Sequence, residues 1–297
     1  MKQAMIDIGS SSMRLTVYET EGKSFKILFR EKSMAGLAGY VENGTLSDEG
    51  ILCACRGLLK FKKILTSLDI QDVVIFATAS LRNISNTEAA VSAIRDRTGW
   101  EAEVISGEEE ALYGYTGAMR EFQLSRGAVL DIGGASTELA LFDEDRPLRS
   151  LSLPIGSLNL YRSCVKKILP GRRSLKKTRE TIQAELDRSN LPDFERQLPL
   201  VCVGGTGRAI LKLAGAVYAQ PEGCRAIGAE QLDGLCAILC RGDRQIIDLI
   251  LKLSPDRIHT IVPGILVLHS LFHLLDAKTL EIGKYGVREG YLCRKIL

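Results

Sequence analysis

Two stretches carry side chains whose types and spacing suit phosphate chemistry. Val129-Leu130-Asp131-Ile132-Gly133-Gly134-Ala135-Ser136-Thr137-Glu138-Leu139-Ala140-Leu141 sets an Asp-x-Gly-Gly-Ala-Ser-Thr-Glu turn between two apolar runs. Glycines without a Cβ let backbone N–H groups approach an anion, Ser136 and Thr137 add hydroxyl donors, and Asp131 and Glu138 add carboxylates that suit a metal ion. Near the N-terminus, Met5-Ile6-Asp7-Ile8-Gly9-Ser10-Ser11-Ser12-Met13-Arg14-Leu15-Thr16-Val17 repeats the plan. A plain glycine-rich hairpin explains either stretch alone. Recurrence in both halves points instead to a duplicated domain, with two loops that would hold one polyphosphate from both sides.

Three other segments carry chemistry that the residues alone leave open. Arg82, in Thr78-Ala79-Ser80-Leu81-Arg82-Asn83-Ile84-Ser85-Asn86, reads as a surface ion-pair partner or as a bidentate phosphate clamp. Glu108, Glu109 and Glu110 follow Ser106-Gly107 and suit the positive end of a helix behind a serine cap. Gly204-Gly205-Thr206 either offers helix N–H groups to an anion or simply makes a turn.

The elements that must position these residues follow from apolar periodicity. Strands are expected over 3–8, 13–19 and 25–32, a helix led by Ser47-Asp48-Glu49 and ending at Leu68, and a buried strand over 72–77. A helix over 87–98, a strand over 102–105 and a helix from Ser106 to about Phe122 complete the first half. The second half repeats strands at 127–131, 137–142 and 147–153. Helices then start at Ser157 and Leu175, a buried strand covers 200–203, and a helix runs through Ala214. The remainder reads as helical except for 279–282.

With 297 residues, two cores are expected. The net charge of +3, from 39 basic and 36 acidic residues, is too balanced to argue for nucleic acid. Arg162, Lys166, Lys167, Arg172, Arg173, Lys176, Lys177 and Arg179 nevertheless form a run without an acidic residue, read as a solvated face or as a landing surface for a long polyanion. The eight cysteines contain no Cys-x-x-Cys pair and only three histidines accompany them, so no zinc site is expected. Their apolar surroundings and the opening Met-Lys-Gln-Ala fit a reducing cytoplasm. The most apolar helix, 261–275, is broken by Pro263, Gly264, His269 and His273 and is too short to span a membrane.

Taken in order, the motifs resemble the exopolyphosphatase and guanosine pentaphosphate phosphatase (Ppx/GppA) family. The resemblance covers nearly the whole chain and also rests on Ile-Ser-Gly-Glu-Glu-Glu-Ala (105–111), Leu-Pro-Ile-Gly-Ser (153–157), Val-Gly-Gly-Thr (203–206) and Gly-Val-Arg-Glu-Gly-Tyr-Leu (286–292). It implies an α/β architecture of two RNase H-like domains of the actin, hexokinase and chaperone-ATPase superfold, with a cleft between them. The domains would cover 1–124 and 125–297, with the last helix able to pack back on the first. It further implies metal-dependent removal of terminal phosphate from inorganic polyphosphate or guanosine pentaphosphate. Mg²⁺ or Mn²⁺ would sit on Asp7, Asp131 and Glu138, and Glu109 would be the base that activates water. Phosphate would be held by Gly9, Ser10, Ser11, Ser12, Arg82, Asn86, Gly133, Gly134, Ala135, Ser136, Thr137, Gly204, Gly205 and Thr206. A homodimer is compatible with the resemblance. Ser11 replaces the family's asparagine and Ala135 its glycine. Two rival readings are a non-catalytic sensor of guanosine tetra- and pentaphosphate and a small-molecule kinase of the same superfold.

Overall fold

Period-two and continuous apolar runs make the first strands. In the computed structural model, which describes residues 1–189, 191 and 197–297, β1 (Lys2–Ile8), β2 (Met13–Glu21) and β3 (Ser24–Ser33) form an antiparallel meander. A small ribbon of β4 (Val41–Glu42) and β5 (Thr45–Leu46) leads into α1 (Asp48–Ser67). Ser47 starts α1 by accepting from the Gly50 N–H, and Asp48 and Glu49 face the positive end of the helix. Ile51, Leu58, Phe61 and Leu65 recur at helical spacing and bury against Ile6, Ile8, Met13 and Leu15 of the sheet. Next come β6 (Val73–Ala77), α2 (Ala79–Arg82), α3 (Thr87–Thr98) and β7 (Glu103–Val104). The sheet order is β3-β2-β1-β6-β7, with β1, β6 and β7 parallel.

After α4 (Gly107–Ala118) the plan repeats. The strands β8 (Gly127–Ile132), β9 (Thr137–Asp143) and β10 (Arg146–Leu153) form the second meander. Then follow α5 (Ser157–Cys164), α6 (Arg172–Arg188), β11 (Leu200–Val203), α7 (Gly204–Tyr218), β12 (Ala226–Gly228), α8 (Ala229–Arg241), α9 (Arg244–Leu253), α10 (Ile261–Leu274), β13 (Thr279–Ile282) and α11 (Val287–Lys295). The order β10-β9-β8-β11-β13-β12 reproduces the first sheet and adds β12 at its edge, antiparallel to β13. Each sheet therefore has the RNase H-like arrangement. The strand β12 lies where helix was expected. It is three residues long and buries only Ile227, too little for a period to be read.

The chain divides into one unit of Met1–Glu110 with Leu292–Leu297 and a second of Ala111–Tyr291. The boundary lies inside α4, earlier than the expected 124, because the apolar face of α4 belongs to the second sheet. Ala111, Tyr115 and Ala118 pack with Val129, Ala140, Val201 and Val203, while Ala128, Leu130 and Ile132 face the helices on the other side. The strand β8 is thus buried on both faces. The helix α4 ends at Ala118, short of the expected Phe122, and Ala118 O takes the N–H of both Glu121 and Phe122 in the turn that follows. Within the second unit, a Cβ on Gly117 would collide with Gly286 O and one on Gly290 with Tyr113 O, so these glycines let α4 and the start of α11 touch backbone to backbone. No described helix is long and apolar enough to cross a membrane.

Candidate phosphate and metal site

The two hairpin tips are built alike. Gly133 N–H donates to Ser136 O at 2.9 Å, and Gly9 N–H donates to Ser12 O at 3.2 Å. A Cβ on either glycine would press on that carbonyl at 3.0 Å, so a side chain there would require the turn to give by a few tenths of an ångström. Ala135 has no positive φ, and its Cβ imposes no left-handed backbone.

The carbonyls of the second tip are drawn to the start of α5. Gly133 O accepts from Ser157 N (2.9 Å) and Oγ (3.0 Å), Gly134 O from the N–H groups of Leu158 (2.8 Å) and Asn159 (3.0 Å), and Ala135 O from Asn159 Nδ2 (3.1 Å). In a trans peptide the C=O and the following N–H point opposite ways, so the N–H groups of Gly134, Ala135 and Ser136 all point away from α5. They form a row of donors of the kind that receives an anion. In the first tip, Ser10 O accepts from Ala38 N–H and Ser11 O from Gly36 N–H, which turns the N–H groups of Ser11 and Ser12 in the same manner. One hydroxyl locks each tip from behind: Ser80 Oγ donates to Ile8 O, and Thr206 Oγ1 to Ile132 O.

The tips differ in charge. On the second sheet Asp131 lies directly opposite Glu138, and Glu138 opposite Ser152, so all three point to one face. Glu138 is 2 % exposed and accepts from Ser152 Oγ at 2.7 Å. The corresponding row on the first sheet is Asp7, Arg14 and Lys32. Like charges set directly opposite on a sheet repel each other, so the Asp131–Glu138 pair suits a divalent cation. Asp7 faces Arg14 across the register, where Asp131 faces Glu138. Gly204, at φ +78°, follows Val203, the β11 partner of Asp131, and a Cβ there would collide with the Asp131 carboxylate. Burial, and then the nearby Asp131 charge, push the Cys202 thiol above its usual range.

Several expected phosphate ligands have other partners. Thr137 is fully buried and donates to Ile155 O, because strand alternation puts it on the face opposite Glu138. The buried Thr206 hydroxyl is taken by Ile132 O and by Arg257 Nη1 at 3.1 Å. Asn86 accepts from Leu46 N–H at 3.0 Å and donates to Leu46 O at 2.9 Å, clamping β5. Arg82 is held by Glu110 at 2.8 Å and by Ile105 O at 3.1 Å. Glu109 completes a reciprocal cap: its Oε2 accepts from Ser106 N–H at 2.8 Å while Ser106 Oγ accepts from Glu109 N–H at 3.1 Å.

Sequence reasoning assigned no role to Ser80, Ser152, Gly156, Ser157 or Asn159. Gly156 lets α5 reach the tip, since a Cβ there would collide with Gly134 O. The signal for three of them was the Ile-Gly-Ser-Leu-Asn run itself, a glycine followed by a helix start.

Twin RNase H-like sheets, each with an Asp-x-Gly hairpin after its first strand, place the protein in the actin-like ATPase-fold class. Residues 16–297 match the model of the Ppx/GppA phosphatase family, and the chain belongs to that family. It is 29 % identical to Exopolyphosphatase 1 of Mycobacterium bovis over 100 % of this chain and 88 % of that protein. It is 27 % identical to the guanosine-5'-triphosphate,3'-diphosphate pyrophosphatase of Pseudoalteromonas atlantica over 97 % of this chain and 57 % of that one. Among solved structures, the Aquifex aeolicus Ppx/GppA enzyme superposes with a TM-score of 0.78 at 25 % identity, covering 99 % of both chains.

Proposed function

We propose that the protein hydrolyses terminal phosphate from inorganic polyphosphate, from guanosine pentaphosphate or from both. The observation that carries this reading is the second tip: three N–H groups turned outward by α5 beside the facing carboxylates of Asp131 and Glu138. Transfer of a phosphoryl group to water is mainly a matter of positioning and charge neutralisation, and such a tip supplies both. Gly134, Ala135 and Ser136 would bind phosphate oxygens, and Ser11 and Ser12 of the first tip offer a like set of donors. Asp131 and Glu138 would hold Mg²⁺ or Mn²⁺, which neutralises oxygens of the substrate. Glu109 would orient water and take its proton as the oxygen attacks phosphorus and the bridging oxygen leaves with the shortened chain. Ser106 N–H, bound to Glu109 Oε2, would fix the carboxylate's orientation for that role.

Phosphate release from polyphosphate and guanosine pentaphosphate, measured side by side with ATP as a third substrate, tests the proposal. Release from either of the first two is expected. Binding of both without turnover would make the protein a sensor, and preference for ATP would favour a kinase.

A further inference from the structure

Away from the hairpin tips, two of the three histidines in the chain converge on one carboxylate. His269 and His273 stand one turn apart on α10, so their side chains share a face. Asp233 reaches them from α8, which packs beside α10 in the second unit. Its Oδ1 lies 2.9 Å from His269 Nε2 and 2.7 Å from His273 Nε2, and the two rings approach at 4.4 Å between centroids. Among the described residues this is the group of three ligating side chains whose donor atoms all lie within 4.8 Å of one another.

We propose that Asp233, His269 and His273 form a binding site for a divalent transition-metal ion of the zinc type, which would staple α8 to α10. Two imidazoles at i and i+4 on a helix with a carboxylate from a second element make a borderline-soft N₂O donor set, suited to Zn²⁺, Co²⁺ or Ni²⁺ and poorly suited to Mg²⁺. All three side chains are partly exposed, at 32 %, 48 % and 49 % for His269, His273 and Asp233, so an ion can enter and complete its shell with water. The pair Asp131 and Glu138 offers oxygen alone and suits Mg²⁺, so the test is made in excess Mg²⁺, which fills that pair and leaves the nitrogen-bearing site to the softer ion.

Titration of the full-length protein with Co²⁺ tests the assignment through visible d–d absorption. One equivalent should bind with N/O-type bands, without the intense near-ultraviolet charge transfer of a thiolate, and Zn²⁺ should displace it. His273→Ala and Asp233→Asn should each weaken Co²⁺ binding by more than the about 10- to 100-fold typical of losing a supporting outer partner. His259→Ala, at the third histidine, and Cys240→Ser, on α8, should bind as wild type. Circular dichroism of the variants separates loss of ligand from loss of fold. Thiolate bands, unchanged binding in His273→Ala, or no Co²⁺ spectrum in the folded wild type would each overturn the proposal.

Discussion

Gly204 gives the Asp131 carboxylate its place: any side chain on that residue would occupy the space of the aspartate's oxygens. Its φ of +78° adds a second reason for glycine, since left-handed backbone costs other residues about 1–2 kcal/mol. Gly204→Ala should therefore lower the melting temperature modestly and displace Asp131. A shift of an ångström at a positioned group can cost about 10²-fold in rate. A kcat loss of that order, with little change in KM, is expected from steady-state phosphate release. An active Gly204→Ala enzyme would separate Asp131 from the chemistry.

The facing carboxylates of Asp131 and Glu138 predict a metal requirement. Excess chelator should abolish turnover, and Mg²⁺ or Mn²⁺ should restore it. Asp131→Asn should lose most activity, and added metal should raise its melting temperature less than that of wild type. Full turnover in chelator would remove the metal from the account.

Lys166, Lys167, Arg172 and Arg173 are all exposed, at and just before the start of α6. If the run is a landing surface, neutralising these four should raise KM for long polyphosphate by about tenfold. That corresponds to roughly 0.35 kcal/mol per charge, near the low end for exposed pairs. The salt dependence should weaken, and tripolyphosphate should be nearly unaffected. Equal effects on short and long chains would return the run to a solvated face.

Much of the fold was legible because its signals are local. The apolar runs of β1, β6, β8 and β11 and the capped start of α1 stand in the sequence, and the second Asp-x-Gly announces the repeat. What was not legible depends on register and on distant partners. Ser136 and Thr137 are adjacent hydroxyl residues, yet strand alternation sends Thr137 into the core. Asp7 and Asp131 occupy the same motif position, but Arg14 faces one and Glu138 the other. Asn86 and Thr206 are committed to Leu46 and to Ile132, and nothing near them in sequence announces those bonds. Cysteine spacing and the small number of histidines predict no zinc site; the i, i+4 pair His269 and His273 is readable in the sequence, whereas Asp233 arrives only through the packing of α8 on α10.

Glu109 tests the hydrolase account most directly, because its capping role and its proposed chemical role can be separated. Glutamine also serves in a capping box, so Glu109→Gln keeps the bond to Ser106 while losing basicity. Ser106→Ala removes the serine half of the cap at a cost of about 1 kcal/mol and leaves the carboxylate. The deciding measurement is kcat for phosphate release by Glu109→Gln on polyphosphate and guanosine pentaphosphate, beside Glu108→Gln and Ser106→Ala. The account predicts a fall of about 10² to 10⁴ for Glu109→Gln at unchanged melting temperature and substrate affinity, with Glu108→Gln close to wild type. Wild-type turnover by Glu109→Gln would leave that residue a helix cap and contradict the account.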